Sequence, residues 1–507
     1  MADTIDQLVR LQAAAHDTKT MVVDPAGALS YRDIDVTAGE LAAVLIAAGV
    51  RKGTRVGLIM PNCTRWVQVA VAVTRIGAVL VPLSTLLRPA ELLVQLKTAA
   101  VQVLVSVDEF RGHRYLDAVH SASCAELPAL HDVWPVDLLD RAPAGGPARR
   151  IVEAMAQAVT PADPLAIIFT SGSSGAPKGV IHSHGNALGA VRSGLSARCI
   201  TSDTRLYLPM PFFWVGGFGS GILSALLAGA TLVTEQRPEP ATTLRLLERE
   251  RVTLFRGWPD QAEALSRHPD RADVDLSALR PGSLEALLPV EQRAPAGARA
   301  TLFGMTEAFG PYCGYPADTD LPVPAWGSCG KPFPGIEIRI VDVDSGQPVA
   351  AGTVGMIELR GPHMLRGICR RSREDVFTAD GYYPTGDLGR LDTDGFLHYH
   401  GRSDDMFKVS GATVYPGEVE RALRTIAGVD NAVVTGVDGQ VGAAVRCSGL
   451  DTRQLRDAAR EVLSAFKIPT VWLLLDADDD LPRGGTGKVD ISRLRELLIT
   501  QGTRVHG

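Results

Sequence analysis

The chain has 507 residues, of which 46% are hydrophobic and 21% are charged, with 51 glycines and 32 prolines. These fractions are typical of globular proteins, and they exclude a collagen, a coiled coil or a disordered chain as a description of the whole. The 51 basic and 57 acidic residues give a formal net charge of −6, which disfavours a nucleic-acid or anionic-membrane partner.

No feature of the sequence indicates export or a membrane span. The first six residues include Asp3 and Asp6 and no basic residue, whereas a signal peptide would begin with basic residues. The longest apolar stretch, residues 66–83, is interrupted by Gln68, Thr74 and Arg75. The seven cysteines include no CxxC pair and favour a reducing compartment, so we expect a cytoplasmic protein without a membrane span.

The first third of the chain alternates strand and helix patterns, which predicts parallel strands joined by right-handed crossovers. A loop is predicted over 142–149, and the alternation resumes with strands at 165–169 and 231–233. The first alternating elements are strand 55–60, helix 64–76, strand 78–82, helix 89–99 and strand 101–107.

The secondary-structure pattern of the last third changes twice, at about residue 335 and again after residue 400. Between 335 and 400 the pattern favours strands separated by Gly and Asp turns, namely 336–341, 355–359 and 396–399. After it, helices at 418–423, 453–465 and 491–498 alternate with strands at 431–437 and 471–475. The sequence therefore predicts an α/β fold. Residues 1–402 would form a large N-terminal domain of parallel-sheet α/β subdomains plus a β-rich subdomain, and residues 403–507 a small mobile α+β domain.

The strongest local motif is the loop Thr170–Gly179, which follows an apolar strand. Glycines let successive backbone N–H groups turn toward one anion, and the hydroxyls and Lys178 add donors and charge. It is not a Walker loop, because the lysine does not directly follow the second glycine and Pro177 intervenes. The alternative, a flexible linker, is disfavoured by the apolar residues on both sides. The predicted phosphate ligands are Thr170, Ser171, Gly172, Ser173, Ser174, Gly175 and Lys178.

Four further motifs follow that loop along the chain. They are Phe303–Glu307, Tyr383–Asp387, Gly401–Lys408 and Pro482–Lys488. Each is weak alone, but the five in this order resemble the adenylate-forming superfamily of acyl-CoA synthetases, adenylation domains and luciferases. The resemblance extends from about Leu29 to Lys488.

The resemblance implies a role for each motif residue, and it implies ATP, Mg²⁺ and CoA as cofactors and co-substrate. Near the nucleotide, Phe303 would stack on adenine, with Gly304 and Met305 beside it, and Thr306 would contact the α-phosphate. Glu307 would bind Mg²⁺, with Thr170 as a weaker second ligand. The remaining roles are ribose contacts for Asp387 and Arg402, the hinge for Asp404, adenylation for Lys488, and thiol transfer for Lys408 and Gly411.

The chemistry of adenylation explains the need for these residue types. A carboxylate that attacks the α-phosphate of ATP brings two anions together, so positioned cations and hydrogen-bond donors must offset their repulsion. The compact ammonium of Lys488 suits a place between the two groups of oxygens. The function that the resemblance implies is an ATP-dependent, AMP-forming acid–CoA ligase.

The predicted acid pocket departs from the family pattern. Trp214, within the family-like segment 209–217, stands where many members carry histidine, and the usual Gly-Gly-Ala element is not recognisable in 281–286. Both changes favour a short or compact acid, although Trp214 as a plain core residue is the alternative. The predicted pocket residues are Phe213, Trp214, Gly216 and Gly304.

Other functions stay open or are disfavoured. An acceptor other than CoA (a carrier-protein thiol or an amine) is the main alternative, together with an unusual small oxyacid such as nitrite in a diazotising biosynthetic role. Amino-acid adenylation is disfavoured because 212–217 holds no acidic residue. A catalytically silent ATP-binding relative is disfavoured because Glu307, Asp387 and Lys488 are all present.

Two remaining interpretations concern partners and metals. A homodimer is one candidate assembly. His182 and His184 follow the phosphate loop without a third ligand nearby, so we interpret both as helix-start residues beside the nucleotide rather than as a metal site.

Overall fold

The computed structural model describes residues 2–140, 146–170, 177–403, 405–409, 412–484 and 488–505. The chain divides into two compact units. The first contains residues 1–337 and 360–381, and the second contains residues 338–359 and 382–507. The small β-rich sheet thus belongs mostly to the second unit, and the functional division at 402/403 stays a prediction.

The helices and strands of the described residues are numbered along the chain. The helices are α1 (Ile5–His16), α2 (Tyr31–Ala47), α3 (Thr64–Arg75), α4 (Pro89–Thr98), α5 (Tyr115–Ser121), α6 (Gly146–Gln157), α7 (His184–Ser193), α8 (Leu195–Arg198), α9 (Ser224–Ala228), α10 (Pro240–Arg249), α11 (Pro259–Arg267), α12 (Pro416–Leu423), α13 (Thr452–Val462) and α14 (Ile491–Gln501). The strands are β1 (Thr20–Asp24), β2 (Gly27–Ser30), β3 (Arg55–Ile59), β4 (Val79–Leu83), β5 (Val103–Ser106), β6 (Glu109–Phe110), β7 (His113–Arg114), β8 (Asp132–Pro135), β9 (Pro164–Thr170), β10 (Lys178–Ser183), β11 (Arg205–Tyr207), β12 (Thr231–Val233), β13 (Leu254–Phe255), β14 (Phe303–Met305), β15 (Gly310–Gly314), β16 (Lys331–Pro332), β17 (Glu337–Val341), β18 (Gly355–Arg360), β19 (Gly367–Ile368), β20 (Tyr383–Leu391), β21 (Leu397–Arg402), β22 (Phe407–Val409), β23 (Ala412–Val414), β24 (Val429–Val437), β25 (Gln440–Cys447), β26 (Val471–Leu475) and β27 (Thr503–Arg504).

The largest sheet of the first unit has seven strands in the order β19-β10-β9-β4-β3-β5-β8. Strands β8, β5, β3, β4 and β9 run parallel, as the alternation in the sequence predicts. Strand β4 is buried throughout, which agrees with a parallel sheet covered on both faces. Strands β10 and β19 extend this sheet in antiparallel pairing.

A second sheet of the first unit has the order β13-β11-β12-β1-β2. Strands β11, β12 and β13 run parallel, so their carboxyl ends lie at one edge of the sheet. The chain leaves β11 into segment 209–217 and leaves β13 into Arg256–Trp258. Ligands of open α/β sheets bind at this kind of edge, which places the predicted acid-pocket segment where a binding site is expected.

Several predicted elements differ from the structure at their ends, as two cases show. The loop predicted over 142–149 extends too far, because α6 begins at Gly146. The helix predicted over 453–465 ends early at Val462, and Ala465–Lys467 form a separate 3₁₀ turn. In the second case, a run with helix-forming composition ends where the backbone of Leu463 becomes extended.

The second unit contains the sheet β17-β18-β20-β21, the hairpin β22–β23 and the sheet β24-β25-β26-β27. Helices α12 and α13 share a core with the last sheet around Trp472, Val419 and Leu455, whereas α14 packs into a second core through Leu494 and Leu498. The α+β pattern predicted for the end of the chain is therefore present. Among the described residues of both units, no helix is long and apolar enough to cross a membrane.

Candidate active site

The predicted phosphate loop connects two paired strands of the first unit. Strand β9 ends at Thr170 and β10 begins at Lys178, and these two residues are register partners in an antiparallel hairpin. Both side chains are half-buried at the base of the loop. The other predicted ligands, Ser171, Gly172, Ser173, Ser174 and Gly175, lie outside the described residues. The pairing of Thr170 with Lys178 brings these two predicted ligands together at the loop.

The predicted adenine-binding strand is β14, which pairs with β15. Phe303 is half-buried, and its ring makes an edge contact with Tyr312 at a centroid distance of 5.5 Å. Gly304 is exposed, yet a Cβ at this position would lie 2.2 Å from the carbonyl oxygen of Gly310. Glycine is therefore required here, because the neighbouring strand approaches the backbone too closely for any side chain.

The predicted phosphate and magnesium residues lie in one short 3₁₀ turn, Thr306–Ala308. Glu307 is buried, with 6% of its surface exposed. The carbonyl oxygen of Thr306 lies 2.8 Å from Nε2 of His182, and the carbonyl oxygen of Glu307 accepts a hydrogen bond from the backbone N–H of Leu365 at 2.8 Å. Both peptide groups that carry the predicted functional side chains are thus held by other elements of the first unit.

The interpretation of the two histidines needs a correction. His184 is the first residue of α7, as predicted, but His182 lies within strand β10. Its contact with Thr306 joins positions 124 residues apart, which no local pattern in the sequence indicates. Among the described residues, no group of three or more His, Cys, Asp or Glu side chains could hold a metal ion.

The acid-pocket segment, residues 209–217, is rich in aromatic residues and glycines. Phe213 is buried and Trp214 is half-buried, so Trp214 is not a plain core residue. The Trp214 ring packs edge-on against Trp258 at 5.9 Å, with an interplanar angle of 88°. A Cβ at Gly216 would lie 2.7 Å from Sδ of Met210, so a larger residue there would require the flexible Met210 side chain to move.

A π-helix, Gly216–Leu223, follows that segment. Such helices are rare and are frequent at functional sites. A Cβ at Gly219 would lie 3.2 Å from the Phe309 ring, and one at Gly310 would lie 3.3 Å from Val215. The acid-pocket segment and the π-helix therefore pack against the two residues that directly follow the turn carrying Thr306 and Glu307.

The predicted ribose ligands lie in the second unit, on the neighbouring strands β20 and β21. Asp387 is buried and pairs in register with Arg402. Nη1 of Arg402 lies 3.3 Å from the carboxylate of Asp387 and donates to the carbonyl of Thr385 at 2.9 Å. Gly386 has a φ of +75°, and a Cβ there would lie 2.7 Å from Nη2 of Arg402. The sequence prediction that these two residues act together is consistent with this pairing.

The predicted lysines lie in the second unit as well. Lys408 is in β22, in register with Thr413 of the hairpin β22–β23. Lys488 is exposed at the end of a loop that is closed by a hydrogen bond from Gly484 N–H to its carbonyl oxygen at 2.9 Å. Asp404 and Gly411 lie outside the described residues.

A cavity of about 780 Å³ in the first unit lies elsewhere. Its lining residues come from the segment after β1, the segment after β12 and helix α10, and include Asp24, Glu235 and Arg237. None of the predicted site residues lines it. This open surface cavity is therefore separate from the described part of the predicted site.

A model of the family described as AMP-binding enzyme matches residues 9–369, which is more than half of the chain. The chain belongs to this family. It is an AMP-forming acid–CoA ligase of the adenylate-forming superfamily, with ATP and CoA as substrates.

Two relatives illustrate the similarity. The chain is 36% identical over 482 residues to a methyl-dioxo-octahydroindenyl-propanoyl:CoA ligase of Mycobacterium tuberculosis, covering 90% of this chain and 91% of the relative. It is 32% identical to the feruloyl-CoA synthase of an Amycolatopsis species, covering 91% of this chain and 92% of the relative.

Solved structures confirm the fold class. The O-succinylbenzoate coenzyme A synthetase of Bacillus subtilis in complex with AMP has a TM-score of 0.80 at 24% identity, with 99% of each chain covered. An anthranilate CoA ligase in complex with anthranoyl-AMP has a TM-score of 0.79 at 24% identity, covering 98% of this chain and 97% of that chain. At this identity the likeness concerns the fold alone.

Proposed function

We propose that this ligase activates a compact, ring-bearing carboxylic acid as its acyl-adenylate and then transfers the acyl group to CoA. The observation that carries the proposal is that Val215 of the acid-pocket segment and Gly219 of the π-helix pack against Gly310 and Phe309, the two residues that follow the Thr306–Ala308 turn. This packing supports a site in which the acid carboxylate lies beside the α-phosphate contacted by Thr306. Such proximity is what an attack of one anion on the other requires.

Within this proposal, the Thr306 hydroxyl donates a hydrogen bond to the α-phosphate, and the backbone around Gly304 makes room for the nucleotide. The carboxylate of Glu307 is buried, and Mg²⁺ prefers hard oxygen ligands such as a carboxylate. Glu307, with Thr170 as a weaker ligand, would hold the ion, which when bound neutralises part of the charge of the ATP phosphates. Asp387 and Arg402 would orient the ribose.

Lys488 is proposed as the cation between the carboxylate and the α-phosphate. Its exposed position at the end of a closed loop leaves the ammonium accessible to a bound substrate. The test compares Lys488→Ala with Lys97→Ala, a change at an exposed lysine outside every motif. Pyrophosphate release reports the first half-reaction, and thioester formation from a supplied acyl-adenylate and CoA reports the second.

We expect Lys488→Ala to reduce pyrophosphate release by about 100-fold or more, since loss of one group that stabilises transition-state charge costs about that much. The rate of the second half-reaction should stay within about threefold of the wild-type rate. That step starts from the acyl-adenylate and does not bring a carboxylate anion against a phosphate anion. Lys97→Ala should match the wild type in both. Equal losses of Lys488→Ala in the two half-reactions would refute the assignment.

The proposed acid class rests on the edge-on pair of Trp214 and Trp258 at the carboxyl edge of β11 and β13. Two indole rings fill space that a long acyl chain would need, and they offer faces and edges to a planar ring. The relatives named above also carry ring-bearing acids in their names. A panel of aromatic, fused-ring, short aliphatic and long-chain acids, read by pyrophosphate release and product mass with and without CoA, tests this. A higher kcat/KM for palmitate than for every ring-bearing acid would overturn it.

For the second half-reaction, we propose that Lys408 and Gly411 lie beside the thiol arm of CoA and that residues 403–507 turn about Asp404. We also propose that the protein forms a homodimer and that it is located in the cytoplasm. Light scattering of the purified protein and fractionation of the source cells test these two directly.

A further inference from the structure

The strand that leaves the phosphate loop also reaches the predicted nucleotide turn. Strand β10 begins at Lys178 and has His182 as its fifth residue. The His182 side chain is fully buried, and its two ring nitrogens contact different elements of the first unit. One side is the turn that carries Thr306, and the other is helix α7.

The hydrogen bonds around the ring fix its tautomer. The Oδ1 atom of Asn186 accepts from the backbone N–H of Ser183 at 2.6 Å, so the Nδ2 group of Asn186 is the donor toward His182 Nδ1 at 2.9 Å. Nδ1 therefore accepts, and the proton is on Nε2. The N–H at Nε2 donates to the carbonyl oxygen of Thr306 at 2.8 Å.

A second contact restrains the same turn. The His182 ring meets the Phe309 ring edge-on, with centroids 4.8 Å apart. Phe309 has a φ of +54°, a left-handed conformation that is uncommon for a residue other than glycine. One imidazole thus contacts the residue that begins the turn and the residue that directly follows it, with Glu307 between them.

We propose that His182 is a positioning residue for adenylation, which fixes Thr306 and Glu307 relative to strand β10. The inference rests on the proposed function. The ring does not touch the reacting atoms and takes no proton from them. Its single N–H fixes the peptide whose two flanking side chains are proposed to contact the α-phosphate and the metal ion.

Burial supports this role, because it lowers the pKa of His182 to about 3, with the positive charge of Arg366 acting in the same direction. The ring therefore stays neutral above pH 5 and keeps one donor and one acceptor. A protonated ring would turn Nδ1 into a second donor facing the amide N–H group of Asn186 and break the arrangement.

Two substitutions separate the donor from the rest of the ring. In His182→Gln the amide nitrogen can take the place of Nε2 and donate to Thr306. In His182→Asn the shorter side chain can replace the Nδ1 acceptor but cannot reach Thr306. Both variants lose the ring contact with Phe309, so a difference between them isolates the N–H donor. His182→Met, which fills similar volume without any N–H, is a second variant that lacks the donor.

We expect His182→Asn and His182→Met to lower kcat for pyrophosphate release by about 10- to 100-fold, as small misplacements of positioning groups do. Their half-saturation concentration for Mg²⁺ should rise, and the KM for the acid should change little. His182→Gln should recover most of the rate. All three should form the thioester from a supplied acyl-adenylate at nearly the wild-type rate.

Equal losses in the Gln and Asn variants, or equal losses in both half-reactions, would overturn the inference and leave His182 as a packing residue. If the Asn variant does not fold, the comparison of Gln with Met decides. The proposed function fails in a different way, namely when the wild type releases pyrophosphate with no acid of the panel.

Discussion

Lowering the pH from 7.5 to 5 is expected to destabilise the protein through His184. This imidazole is buried at the start of α7, and its Nδ1 accepts a hydrogen bond from the backbone N–H of Ile5, the first residue of α1, at 3.2 Å. Burial lowers the pKa of His184 to about 4. The nearest charges, Asp163 and Lys52, form an ion pair at 2.7 Å and act on the ring in opposite directions.

The size of the effect follows from the two pKa values. The unfolded chain has an ordinary histidine pKa of about 6.5, so between pH 6.5 and 4 it binds a proton that the folded state excludes. The contribution of His184 to the free energy of unfolding is therefore fully present above pH 6.5 and is lost as the pH falls below it. At pH 5 the loss is about 2 kcal/mol.

Urea unfolding at several pH values measures this loss. Because burial lowers the pKa of His16 and His363 as well, the wild type loses stability from more than one group. The matched control is His184→Asn, which can keep an acceptor for the Ile5 N–H and does not titrate. The wild type should lose about 2 kcal/mol more than this variant between pH 7.5 and 5. Parallel losses would show that His184 titrates normally in the folded state and that its burial has been misjudged.

Two further substitutions test the nucleotide strand and the hinge. Gly304→Ala should lower the melting temperature and reduce ATP–pyrophosphate exchange, because its Cβ would lie 2.2 Å from the Gly310 carbonyl oxygen and overpacking of this kind costs about 1–3 kcal/mol. Gly27→Ala, where no atom lies within 4 Å of the new Cβ, is the control and should change neither measurement. Asp404→Pro should spare pyrophosphate release but block thioester formation, since proline fixes the φ angle of the predicted hinge. Normal thioester formation by this variant would exclude Asp404 as the hinge.

Much of the proposed site is predictable from local sequence because it depends on short contiguous motifs. Phe303, Gly304, Thr306 and Glu307 are close together along the chain, and the resemblance of this motif to the family implies the stacking, phosphate and metal contacts. Trp258 was missed, although a Gly-Trp-Pro sequence directly after an apolar strand is a signal that could have drawn attention to it. Its partner Trp214 is 44 residues earlier, and only the parallel pairing of β11 with β13 brings the two rings together.

The sequence by itself determined the alternation of strands and helices, the family and the residue types of the reaction, because hydrophobic periodicity and short motifs act over a few neighbouring residues. The tertiary structure decided which distant residues hold those motifs in place. The hydrogen bond from His182 to Thr306 and the support of Glu307 by Leu365 join segments that are far apart in the chain. Such contacts depend on how the sheets pack, and backbone preferences carry no information about them.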